Sequence, residues 1–210
     1  LLAAALMTCS MHSVAQHNPS GTPAEQAQLP PFCVVKLKDD NRSPAAQRWI
    51  AQFGFDNWLH VHHYCYGKVF MLRASAAGAK RDQDYQRSLA IKEYSYVLNA
   101  SKPDFWMRPQ IHLEIGRIQQ SLGQFEEAIA SFGAAVRANS RYQAAYLALI
   151  AALRSKDQRA DALSVAQQGL RYLPDSADLL LAYFVLGGIE PLPGPAESAD
   201  RNPPVPGGQE

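Results

Sequence analysis

The chain has 210 residues, and its 20 lysines and arginines nearly balance its 19 aspartates and glutamates, for a formal net charge of +1 at pH 7. That length allows one domain or two small ones, and 47% apolar residues suffice for a core. Near-neutral charge without a basic patch argues against nucleic acid or an anionic membrane surface as a partner. No apolar run of about 20 residues follows the N-terminus, so no membrane span is expected.

Residues 1–15 read as a signal peptide, kept out of the fold. Leu1 to Met7 form a short apolar run, and Ser13-Val14-Ala15 put small residues where a signal peptidase reads them. With no basic region ahead of the run, a start upstream of Leu1 is expected. Leu6-Met7-Thr8-Cys9 is similar to a bacterial lipobox, so lipidation at Cys9 is the alternative. Either route predicts a periplasmic or secreted protein. Residues 16–31, rich in Pro, Gln, Ala and Ser, predict a flexible leader.

Once Cys9 leaves with the signal, Cys33 and Cys65 remain. In an oxidising compartment they predict a disulfide. The bridge would close a loop of about 30 residues and contribute roughly 3 kcal/mol in the chain-entropy treatment. It would fasten an irregular segment, 30–42, onto the helices as an N-terminal cap, with His60, His62 and His63 anchoring that segment.

From residue 43 the chain reads as all-α. Ser43-Pro44 combines a cap with a proline at the first helical position, opening a helix that Gly54 closes. Asp56 caps a second helix over 57–77, with an apolar stripe of Trp58, Val61, Cys65, Val69 and Leu72. Gly78 breaks the pattern, and a third helix is expected over 84–98. Residues 32–99 are thus a cap plus a degenerate helical repeat, and 100–108 a linker.

The clearest pattern lies at 109–142. Ile111, Ile115, Ile118 and Leu122 recur at helical spacing, as do Phe125, Ile129, Phe132 and Val136. Gly116 permits close helix approach, Ala128 and Ala135 keep the facing seam thin, and Gly123 offers the left-handed turn between the helices. About 34 residues on, Tyr146, Ala162 and Pro174 recur in register. This segment resembles the tetratricopeptide repeat family. The match is complete over 109–142 and looser over 143–176, where Asp157 replaces the turn glycine and Ala166 the aromatic wedge. Residues 177–188 resemble a lone closing helix. Pro31–Ala74, with its Trp-containing helix and the run His62-His63-Tyr64-Cys65-Tyr66-Gly67, is similar to the N-terminal part of secreted proteobacterial tetratricopeptide proteins. The expected fold is all-α: a short solenoid of helical hairpins over 109–188, a disulfide-linked cap, and a disordered Pro- and Gly-rich tail over 189–210.

The resemblance implies a scaffold that binds a protein or peptide in a concave groove lined by the first helix of each repeat. Matched by register, those positions are Gln110, Leu113, Glu114, Arg117 and Gln120, then Leu147, Ala148, Ala151 and Arg154. Small and apolar side chains with two arginines suit a helix or extended peptide of some acidic character. The Lys/Asn set of chaperone-binding relatives is missing. The implied setting is an accessory of a bacterial envelope assembly, such as a pilus, secretion or polysaccharide export machine.

The chemical alternative is His60-Val61-His62-His63-Tyr64-Cys65, whose imidazoles and thiol suit zinc or copper. At about 100° per residue, His60 and His63 share one helix face while His62 and Cys65 share another. A metal-binding or metal-delivery protein would therefore rest on His60 and His63 with ligands from elsewhere. No G-x-S-x-G, phosphate loop, H-E-x-x-H or C-x-x-C is present, so neither an enzyme nor a cofactor is expected.

Overall fold

The computed structural model describes residues 18–38 and 41–195. The segment expected to be a signal peptide, with Cys9, and the tail from 196 onward lie outside the described residues. Within them the chain forms ten helices and no strand. They are α1 (Pro23–Gln26), α2 (Pro31–Lys38), α3 (Pro44–Phe53), α4 (Phe55–Ala76), α5 (Lys80–Ala100), α6 (Arg108–Ser121), α7 (Phe125–Ala138), α8 (Gln143–Ser155), α9 (Arg159–Tyr172) and α10 (Ala177–Val185). No described helix is long and apolar enough to cross a membrane.

Two expectations need correction at the N-terminal end. The leader is folded from residue 18. Thr22 and Glu25 form a capping box at α1, and Leu29 is buried. Arg73 on α4 donates from Nε to Glu25 Oε1 at 2.7 Å and holds that carboxyl down at about 2. The segment 30–42 is not irregular, because its residues 31–38 form α2. Cys33 on α2 and Cys65 on α4 are bridged as expected, with both cysteines fully buried and their Cα atoms 5.4 Å apart. Farther along, the segment that joins α5 to α6 adds to the core: Phe105 and Met107 are buried, and Asn57 Oδ1 accepts the Lys102 amide at 2.9 Å.

Local signals explain most helix ends. Ser43 Oγ accepts the Ala46 amide to cap α3, and Gly54 ends it at φ 76°. Asp56 lies in the first turn of α4 without capping it, because α4 already begins at Phe55. Gly123, at φ 77°, makes the left-handed turn between α6 and α7. Asp157 makes the corresponding turn between α8 and α9 at φ 57°, a conformation Asp tolerates better than most side chains.

The longer helices pack as antiparallel neighbours, α4 with α5, α6 with α7 and α8 with α9, and α10 packs on both α8 and α9. Two seams need glycine. A Cβ added to Gly67 would lie 2.3 Å from the Tyr94 ring, and one added to Gly116 would lie 2.5 Å from the Phe132 ring. In the α8–α9 pair Ile150 and Ala166, 34 residues after Gly116 and Phe132, are both buried, and the close approach is at Gly169, where an added Cβ would lie 3.1 Å from the Tyr146 ring.

Buried side chains fall into two clusters that meet at α6. Ile111, Ile115 and Ile118 join a core containing Trp58, Tyr64, Val69 and Tyr94. Leu113, on another face of α6, joins a core containing Phe132, Tyr146, Ile150 and Leu179.

Candidate partner-binding face

The nine residues expected to line a groove divide into two groups. Leu113 is only 2% exposed and belongs to the second core, so it is corrected from a contact residue to a packing residue. Its periodicity marks an apolar helix face but cannot say that α8 covers it.

Gln110 and Glu114 are held within the fold. Glu114 Oε1 accepts from the Tyr64 hydroxyl at 2.8 Å and from Gln110 Nε2 at 3.2 Å, while Lys68 Nζ lies 3.4 Å from Oε2. Gln110 Nε2 also donates to the Tyr64 hydroxyl at 3.0 Å. Burial, reinforced by the Glu114 charge, pushes the Tyr64 phenol well above its ordinary range, so it remains a neutral donor. This network ties α4 to α6. Sequence reasoning missed Tyr64 and Lys68 because no local pattern relates them to a helix some 46 to 50 residues later.

The remaining positions are at the surface. Arg117, Ala151 and Arg154 are exposed, while Gln120, Leu147 and Ala148 are half-buried. They occupy α6 and α8, which touch each other directly. Among the described residues neither Arg117 nor Arg154 has an acidic side chain within ion-pair distance. At the start of α8 stands Tyr142, half-buried, its phenol raised by burial while the Arg117 charge opposes that rise. Tyr142 also lines a small cavity of about 60 Å³ with Trp106, Pro109, Gln110 and Asn139. The face therefore offers two guanidinium groups without an acidic partner among the described residues, a small apolar floor and an aromatic-lined notch.

The histidine cluster is built differently from a metal centre. His60 and His63 do share a face, but both lean on Tyr96 of α5. His63 stacks on its ring at 3.7 Å between centroids, and His60 Nδ1 lies 3.5 Å from its hydroxyl. His63 Nδ1 is paired with Glu93 Oε2. His62 sits against Tyr66, and burial lowers its pKa. Among the described residues no group of three or more His, Cys, Asp or Glu side chains is placed to hold a metal ion, and the disulfide removes Cys65 as a thiolate. His60 and His63 also do not anchor the α2 segment as expected, since their partners lie on α5.

Comparison with protein-family models, curated proteins and solved structures gave no match to this chain.

Proposed function

We propose that this chain is a protein-binding scaffold of tetratricopeptide type, whose α6/α8 face takes a helix or extended peptide carrying acidic side chains. One observation carries the reading. Arg117 and Arg154 are exposed on neighbouring helices, unpaired among the described residues, beside the small apolar surface of Leu147, Ala148 and Ala151. Unpaired guanidinium groups next to apolar contact area suit recognition of carboxylates on a partner, with bidentate geometry available to each arginine. The role is binding rather than catalysis. The setting is an exported compartment, for which the buried Cys33–Cys65 bridge is the support, and the partner belongs to an envelope assembly.

The test is capture from envelope extract by the immobilised chain, compared with the double variant Arg117→Glu, Arg154→Glu. Both positions are exposed, so helicity should be unchanged while capture of an acidic partner falls. Equal capture by wild type and variant would remove the α6/α8 face as the site.

A further inference from the structure

Four aromatic side chains line a cavity where α3, α4 and the segment joining α5 to α6 meet. Its volume of about 280 Å³ suits a small organic molecule rather than a single water, whose share of liquid volume is about 30 Å³. Phe53 and Phe105 are almost wholly buried, whereas Trp106 is half-buried and Phe55 is 55% exposed. Between ring centroids Phe53 lies 5.2 Å from Trp106 and 5.8 Å from Phe105. Gly54, at φ 76°, turns the chain sharply, so that Phe53 ends α3 and Phe55 begins α4. Asn57 fastens the third element: its Nδ2 donates to the Phe53 carbonyl at 2.8 Å and its Oδ1 accepts the Lys102 amide at 2.9 Å. The lining is thus held in place by the fold itself, which lowers the ordering cost of binding.

The ionisable side chains that line the cavity are Asp56, Lys102 and Asp104. Lys102 Nζ pairs with Asp56 Oδ2 at 2.7 Å, and that pairing holds the Asp56 carboxyl below its ordinary range. Asp104 is exposed and, among the described residues, has no basic side chain within ion-pair distance. Two carboxylates against one ammonium leave the lining with a net negative charge. The faces of aromatic rings add negative potential. Among the described residues no lysine or arginine lies over any of these four rings, and no group of acidic, His or Cys side chains is placed to hold a metal ion. Aromatic lining with surplus negative charge is the chemistry that recognises a large, weakly hydrated organic cation.

We propose that this cavity binds a small quaternary ammonium compound of the choline type. Its trimethylammonium group rests against Phe55 and Trp106, and Asp104 meets its charge. Lys102 is neutralised by Asp56 and so does not repel it.

The experiment is calorimetric titration of the full chain with choline and, separately, with its uncharged carbon isostere dimethylbutanol. Choline should bind saturably and the isostere should not. Phe55→Ala and Asp104→Asn, both at exposed positions, should each weaken choline binding severalfold, with circular dichroism showing unchanged helicity. Sedimentation with phosphatidylcholine vesicles separates two sources of the same group. A chain that pellets with them, and fails to as Phe55→Ala, takes the lipid headgroup; one that stays in solution takes the free cation. Absence of saturable choline binding overturns the proposal. So does equal binding of dimethylbutanol, or a choline affinity that neither variant changes.

Discussion

Gly116 and Phe132 are in contact across the α6–α7 seam so closely that a Cβ on the glycine would sit 2.5 Å from the aromatic ring. No real Cβ is tolerated at that distance, so the ring or the helix must move if one is added. Gly116→Ala should therefore destabilise the chain by roughly 1–3 kcal/mol, and Gly116→Leu by more. Thermal melts of the two variants check this. Phe132→Leu in the Gly116→Ala background should recover part of the loss, because the two sites share one space and their effects are not additive.

The Tyr64 hydroxyl donates to Glu114 and accepts from Gln110. Tyr64→Phe leaves the largely buried Glu114 carboxylate with one donor fewer, and the expected loss is about 1–3 kcal/mol by denaturant titration. A double-mutant cycle with Glu114→Gln separates this bond from the rest of the network. A coupling energy of zero would mean that Tyr64 contributes only packing.

Removing the Cys33–Cys65 bridge should lower stability by roughly 3 kcal/mol through the loop it closes. Because the bridge joins α2 to α4, the loss should be concentrated at the N-terminal end, with faster amide exchange in α2 under reducing conditions. Thiol titration of the oxidised, unfolded chain should find neither cysteine free.

His112 on α6 is held at about 4, by burial first and by the charges of Arg108 and Arg137 in addition. The unfolded chain takes up a proton on this side chain as the pH falls through about 6.5, whereas the folded chain resists until about 4. The stability linked to His112 is complete above that upper value and is lost between it and about 4. His112→Gln should flatten the decline of melting temperature over this window. His62, also depressed by burial, contributes in the same direction, so the slope should shrink without vanishing. An unchanged slope would show that His112 titrates alike in both states.

Legibility in the sequence tracked the range over which each interaction acts. The α6–α7 hairpin was readable because Gly116, Gly123 and Phe132 leave a local signature, and the disulfide because only two cysteines remained to pair. Asp157 read as a departure, yet it adopts the same left-handed turn as Gly123. Residues 18–31 were misread because their composition gives no hint that Glu25 meets Arg73, 48 residues away. Leu113, Gln110 and Glu114 carry the right spacing for an outward helix face. Leu113 is lost to the second core, while Tyr64 and Lys68 engage Gln110 and Glu114, and neither event is written in α6 itself.

The position of α6 between the two cores has a mechanical consequence. Its isoleucines are seated in one core and its Leu113 in the other, so neither half can open without stripping apolar surface from the same rod. Fraying that starts at the C-terminal hairpins is arrested at α6, and a pull applied to α8 is passed through it into the block that the Cys33–Cys65 bridge locks.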